Sequence, residues 1–410
     1  MRKLSVALSL LILAAAAPLH QTGAADSNTI AVLTFNVFDP FFGPEREQRM
    51  EQLPAAVMAL QPLPDVMVFE EFFKDRDRER VIADLKAAGY PMATAHYVKR
   101  GYGTGVLVIS RFPIEAADYT PYHTAGAVYD PEHYSGKGII HCRLATPAGP
   151  LEFFATHPIA RFKYLYDQNG AHVDRDRKTV DRLLEMERIA RVILKKADPA
   201  ARSVILAGDL NVSPDMWGYQ YLLARTGMTD SYAALHPGES GSTYSPENTY
   251  VDKEWYQIDH VLCLNREGGA GTWLSPKSSA VVFKETVPLR NGKQVNLSDH
   301  FGLFTVFETV SDPAAVPMNP GFRPRTTGGS RSLTDLTAQG LALTPQNYLA
   351  WQAWAVDLMD KAERSYNRFC PEVIPAARTV IAGDVAAPVA IPLTALQREA
   401  IRMDLKKAGK

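Results

Sequence analysis

Short apolar runs that stop on an acid, an amide or an imidazole recur between residues 30 and 307 of this 410-residue chain. Asn36 follows the run from Ile30 to Phe35, and Glu71 follows Val66 to Phe69 by way of Glu70. His157 closes Phe154-Ala155-Thr156, while Asp209 and Asn211 follow Ser203 to Ala207 across Gly208. Asp259 stands in Gln257-Ile258-Asp259-His260-Val261, and Ser298-Asp299-His300 leads into Phe301 to Phe307. Short β-prone runs of this kind read as strands, and strands that end on polar groups gather those groups along a sheet edge, in one cleft. Taken singly, a carboxylate after a strand is a turn or cap residue; six such segments in one chain ask for a joint explanation.

Between these runs lie helical patterns. Arg46 to Leu60 places Met50, Leu53, Val57 and Leu60 at helical spacing, Asp77 to Ala88 predicts a second helix, and Arg177 to Lys195 sets Val180, Leu183, Leu184, Ile189, Val192 and Ile193 on one side. Gly105 to Ser110 predicts another strand, and Ile139 to Leu144 and Leu151 to Ala155 form a strand pair across the turn Pro147-Ala148-Gly149-Pro150. Asn291-Gly292 between Val287 and Val295 predicts a type I′ hairpin. Helices interleaved with adjacent strand pairs predict an α/β (α+β) fold of two packed mixed β-sheets flanked by helices, rather than a doubly wound parallel sheet.

The ends of the chain differ from its middle. Arg2 and Lys3, the apolar run from Leu4 to Pro18 and small residues up to Ala25 read as an export signal over residues 1–25, which predicts a secreted or periplasmic protein. No cysteine directly follows the signal to take a lipid, and no later run is long and apolar enough for a bilayer-spanning helix. A catalytic domain is expected over 26–308. Pro313, Pro317, Pro320 and Pro324 mark a linker over 309–330, and helical stretches from Pro345 to Phe369 and Leu393 to Lys407 predict a helical extension over 331–410. Cys142, Cys263 and Cys370 are too few for a disulfide framework or a metal cage. Cys142 and Cys263 read as buried strand residues; one bridge with one free thiol is the other arrangement open to them. The net charge of −1 lacks the basic surplus of a protein that lives on nucleic-acid phosphates.

Together the six segments resemble the endonuclease/exonuclease/phosphatase superfamily over nearly all of residues 30 to 307. Within it, Glu70-Glu71-Phe72-Phe73, Gly136-Lys137-Gly138 ahead of a strand, and the long loop between His157 and the Arg177 to Lys195 helix resemble the neutral, bacterial-type sphingomyelinase branch. The resemblance implies a deoxyribonuclease-I-like four-layer sandwich and a Mg²⁺ ion (Mn²⁺ or Co²⁺ as alternatives) held by Glu71, with Asn36 nearby and Asp299 as a second ligand. Hard oxygen donors suit such an ion. It implies His300 as general base, since histidine is the side chain able to take a proton near neutral pH, with Asp259 holding its other ring nitrogen. Asp209 and Asn211 would orient water and phosphate, Asp209 being also a candidate proton donor, and His157 would donate to a phosphoryl oxygen. Lys137 is expected to bind phosphate or order a loop. His123, His133, His141, His172 and His236 fall outside the motifs.

The reaction implied is Mg²⁺-dependent hydrolysis of sphingomyelin to ceramide and phosphocholine at a membrane surface, with no obligate protein partner and no nucleic acid. Phe38, Phe41, Phe42, Trp217 and Tyr219 near the predicted cleft suit a membrane interface. Secreted bacterial sphingomyelinases carry an aromatic-tipped hairpin shortly before the last catalytic histidine. Here Arg290 and Lys293 take that tip, leaving Trp273-Leu274 as the candidate loop for the part. The competing readings are a secreted deoxyribonuclease-like nuclease, another phospholipid or inositol-phosphate hydrolase on the same centre, and a non-catalytic binding member. The last would be expected to lack site residues, and every expected position is filled.

Overall fold

The computed structural model describes residues 28–40, 43–122, 134–160, 179–214 and 217–312. The expected signal over 1–25, most of the linker and all of the helical extension lie outside these residues.

The described residues open with β1 (Thr29–Asp39), α1 (Arg46–Met58), β2 (Val66–Phe72), α2 (Asp75–Ala87), β3 (Thr94–Tyr97) and β4 (Leu107–Ser110). There follow β5 (Ile114–Pro121), β6 (Gly138–Thr146), β7 (Gly149–Thr156), α3 (Thr179–Lys196), β8 (Ser203–Asp209), α4 (Trp217–Thr226), β9 (Thr229–Asp230), α5 (Ser231–Leu235) and β10 (Asp259–Asn265). The last strands are β11 (Trp273–Val282), β12 (Val287–Pro288), β13 (Gln294–Val295) and β14 (Gly302–Val310). They form two mixed sheets, ordered β11-β14-β1-β2-β4-β3 and β5-β6-β7-β8-β10-β9, with β12 and β13 as a separate hairpin.

Alternation along each strand sorts the core. From β1 and β2, Val32, Val66 and Val68 meet Phe153, Ala155, Ile205, Ala207 and Val261 of the other sheet, a dry layer that also takes in Cys142 and Cys263. Both cysteines are free, buried thiols, as the strand reading expects. The opposite face of the first sheet, with Leu33, Phe35, Met67 and Phe69, packs on Met50, Leu53 and Val57 of α1 and Val81 and Leu85 of α2. Each fully buried side chain of this size contributes about 1.5–3 kcal/mol, so the layer order follows directly from the strand pattern.

Each sheet contains one parallel pair built through a helix: β1 and β2 through α1, and β7 and β8 through α3. Parallel strands leave the sheet at the same edge. Antiparallel β14 beside β1, and β10 beside β8, begin where their neighbours end. The topology therefore brings four strand ends and two strand starts together. Gly208 shows how tightly this edge is drawn. It has φ +154°, and a Cβ there would lie 2.0 Å from the Thr156 carbonyl oxygen. Gly208→Ala is expected to force β8 away from β7 and cost several kcal/mol; melting of the variant within about 1 kcal/mol of wild type would refute this packing.

Several expectations change. The β12–β13 hairpin is present, but its turn is not type I′. Gly292 has φ +84° while Asn291 is not left-handed, and the Gly292 amide donates to the Leu289 carbonyl. That is a three-residue connection of a type I turn followed by a left-handed glycine. Its tip residues lie against α1, Arg290 pairing with Glu51 and Lys293 with Glu45 at 2.9 Å. Trp273 and Leu274 are not a loop: they begin β11, and Leu274 belongs to the inter-sheet core. Tyr219 is buried, its hydroxyl donating to Asp230 at 3.0 Å, and Phe38 packs against Tyr250, so neither is an exposed interfacial aromatic. Phe41 and Phe42 and the Trp217 side chain lie outside the described positions.

Candidate active site

Asn36 and Glu70-Glu71 lie in the last residues of β1 and β2 before their ends, His157 follows β7, Asp209 ends β8, Asp259 begins β10, and Asp299-His300 precede β14. Three of these polar ends bend sharply. Phe38, Glu71 and Asn211 have φ of 47°, 55° and 54°, left-handed backbone that costs a non-glycine residue free energy and clusters at functional sites. At Glu71 the bend breaks the strand alternation, so Glu70 stays in the inter-sheet layer while Glu71 is partly exposed.

Asp209 is the hub. One carboxylate oxygen accepts from the Asn36 amide at 3.1 Å, lies 3.4 Å from His157 Nε2 and 3.8 Å from His300 Nε2. The other accepts the Asn211 backbone N–H at 2.9 Å. Across the cleft, His300 Nδ1 stands 2.8 Å from an Asp259 carboxylate oxygen, the Tyr244 ring meets the imidazole edge-on at 5.2 Å, and the second Asp259 oxygen is buried with no hydrogen-bond partner among the described residues. The Lys137 ammonium, itself buried, is 3.2 Å from His157 Nε2 and donates to the Pro158 carbonyl at 3.0 Å. The Asn211 amide donates to that same carbonyl at 3.3 Å. Lys137, read from sequence as phosphate-binding or loop-ordering, thus joins the cluster through His157.

Electrostatics follow from this crowding. Burial opposes the imidazolium of His300, yet Asp259, Asp209 and Asp299 together hold its pKa well above the ordinary value. His157 is driven the other way, first by burial and then by Lys137 and His300, well below the ordinary imidazole value. Burial, then repulsion from Asp259, pushes Asp209 up to about 6; burial, then Asp299, pushes Glu71 up to about 7. Asp299 is raised first by burial. The cleft therefore gathers more carboxylates than cations.

A divalent cation fits that imbalance. The Glu71 carboxylate has no hydrogen bond or ion pair among the described residues, it presses on Asp299, and hard oxygens are the donors on offer. Asn36 is tied to Asp209 through its nitrogen, and its carbonyl oxygen accepts the Phe38 N–H at 3.0 Å, leaving a second lone pair for a cation. Asp209, Asp259 and His300 form another compact group, with donor atoms within 4.8 Å of one another. Within that trio His300 Nδ1 and the Asp259 carboxylate are in direct hydrogen-bond contact.

Sequence reasoning did not single out the support beneath these groups. The Thr34 hydroxyl donates to buried Glu70 at 2.7 Å. His260, next to Asp259, is wholly buried and holds Asp230 at 2.8 Å and the Val212 carbonyl at 2.8 Å, which fixes the chain just past Asn211. Asn248 donates to the Ser298 carbonyl at 2.8 Å. Thr34 and His260, polar residues inside predicted strands, were the available signal; Asp230 and Asn248 lie in no element read from the sequence.

Comparison with known proteins bears on the family and the fold. The chain is 28% identical over 293 residues to sphingomyelin phosphodiesterase 2 of Homo sapiens, covering 68% of this chain and 64% of the human protein, so less than two thirds of that relative is matched. It is 26% identical over 320 residues to the inositol phosphosphingolipids phospholipase C of Schizosaccharomyces pombe, covering 70% of each. Its fold matches the crystal structure of sphingomyelinase C from Streptomyces griseocarneus with TM-score 0.52 and 22% identity, over 68% of this chain and 99% of that one. The model of the endonuclease/exonuclease/phosphatase family matches residues 33–300, and with the strand-end cluster falling inside that span the chain belongs to the endonuclease/exonuclease/phosphatase family.

Proposed function

We propose that this chain is a secreted, Mg²⁺-dependent phosphodiesterase that hydrolyses sphingomyelin to ceramide and phosphocholine. The observation that carries the chemistry is the buried His300–Asp259 pair at 2.8 Å, set in the same cleft as Glu71 and Asp299. The relatives named for sphingolipid cleavage support the substrate class. Glu71 and Asp299, with the Asn36 carbonyl, would hold the ion. Bound there, it supplies positive charge that polarises a phosphoryl oxygen and opposes protonation of His300.

His300 takes the proton from water as the water oxygen bonds to phosphorus and the bond from phosphorus to the ceramide oxygen breaks. Asp259 fixes the ring and stabilises the imidazolium that forms. Asp209 and Asn211 orient water and phosphate, and Asp209 is the candidate donor of the proton the ceramide oxygen takes up. Neutral His157, with Lys137 beside it, donates to a phosphoryl oxygen where charge accumulates. Among the described residues no helix is long and apolar enough to cross a membrane; surface action on lipid fits that.

The test is release of phosphocholine from sphingomyelin, measured beside phosphatidylcholine, an inositol phosphosphingolipid and duplex DNA. Sphingomyelin is expected to be cleaved, EDTA to abolish the activity and Mg²⁺ to restore it. DNA nicking without phosphocholine release would sink the lipid reading. Release of inositol phosphate instead would favour the second reading raised by the S. pombe relative.

A further inference from the structure

Arg49 of α1 is the largest fully buried side chain among the described residues, and none of its contacts is with a carboxylate. Its Nε donates to the Pro44 carbonyl at 3.0 Å. One terminal nitrogen donates to the Val37 carbonyl at 2.9 Å and the Leu297 carbonyl at 2.6 Å, and the other donates to the Phe38 carbonyl. The guanidinium carbon lies 5.3 Å from the centre of the Phe38 ring and 5.6 Å from that of Tyr250. An arginine costs several kcal/mol to bury unless its N–H groups find acceptors. Here they have found the backbone of three separate segments.

Two of those segments carry proposed ion ligands. Val37 and Phe38 directly follow Asn36, and Leu297 lies two residues before Asp299. In an extended strand successive carbonyls point to opposite sides. The left-handed turn at Phe38 allows the Val37 and Phe38 carbonyls to reach one guanidinium, so the strain there is offset by Arg49. The fork then ties that bend to Leu297, 248 residues from Arg49 in sequence. Its charge also acts on Asp299 from behind.

We infer that Arg49 is a positioning residue for the cation site: it sets the spacing between the Asn36 and Asp299 segments without touching the ion. The inference rests on the metal reading given under Proposed function. A lysine keeps the charge but has no planar fork to serve several carbonyls at fixed angles. Arg49→Lys is therefore expected to weaken Mg²⁺ binding, measured by calorimetric titration without substrate, by roughly 10- to 100-fold, as residues that orient metal ligands do. Tyr250→Leu, which removes one ring wall and leaves the fork in place, is expected to give a smaller rise in Kd. Circular dichroism and melting in EDTA report folding separately. A lower melting temperature with wild-type Mg²⁺ affinity in Arg49→Lys would overturn the assignment; if that variant does not fold, unchanged affinity in Tyr250→Leu would overturn it instead. Wild-type protein that takes up no Mg²⁺ would remove the metal reading itself, an outcome distinct from a wild type that binds while the variants bind equally well.

Discussion

His300→Ala is expected to lower kcat for sphingomyelin by on the order of 10²–10⁴-fold, the contribution of a positioned general base, with a small change in KM. The geometry limits what can replace it. Asp209 and Glu71, the carboxyls nearest in role, are committed to Asn36 and Asn211 in one case and to the proposed ion in the other. Asp259→Asn should approach the same loss, because an amide can present its N–H to Nδ1 and fix the wrong tautomer of His300, an effect of about 10⁴-fold in the serine-protease triad. The double variant should then lose little more than either single one, since the two residues act as a unit. Additive losses in the double variant would show that Asp259 works on something other than His300.

The second large effect lies outside the chemistry. Asp230→Asn is expected to destabilise the protein by about 3–5 kcal/mol, the usual result of removing one partner of a buried ion pair. Both ring nitrogens of His260 face acceptors, Asp230 and the Val212 carbonyl, so both carry hydrogens and the ring is a buried cation. Burial alone would lower its pKa, but the bond to Asp230 raises it above the ordinary value. Burial likewise works against the Asp230 carboxylate, and the His260 bond wins, lowering its pKa. A raised histidine stabilises fully below its unfolded value of about 6.5, and that stabilisation is lost as pH climbs through the folded value. A lowered aspartate contributes above its unfolded value of about 3.9 and loses this as pH falls through the folded one. The stability gap between wild type and Asp230→Asn should thus be widest between about pH 4 and 6.5 and narrow on the alkaline side. A gap that stays constant from about pH 5 to pH 9 in denaturant titrations would refute the charged pair.

How much of this was legible depends on which force sets each element. The strands of the two central parallel pairs are buried on both faces, so their apolar runs stand out, and the polar residue at each end marks the cleft. β5 escaped because it is an edge strand: Glu115, Ala116, Ala117 and Asp118 are all exposed and carry no alternation. β11 escaped because serines and Pro276 interrupt it, and the register shifts between Pro276 and Ser278. Arg49 looked like one more polar helical position, since nothing local says that carbonyls from residues 37, 38, 44 and 297 will converge on it. Tyr219 was read as interfacial because its burial depends on a partner, Asp230, that the sequence around it does not announce. Spacing could nominate Asn36 and Asp209, but that they touch across 173 residues is a product of how the sheets stack.

The pairing of β1 with β14 carries a consequence for the order in which this molecule is made. β14 inserts between β1 and β11, and the His300 that precedes it is the last of the named site residues to leave the ribosome. A nascent chain halted before that strand holds β1 with one edge open and Asp259 without its imidazole, so it has neither a closed first sheet nor the proposed base. Contacts of such long sequence separation form late. Catalytic competence would therefore arrive in one step once β14 has emerged, after the strands that precede it.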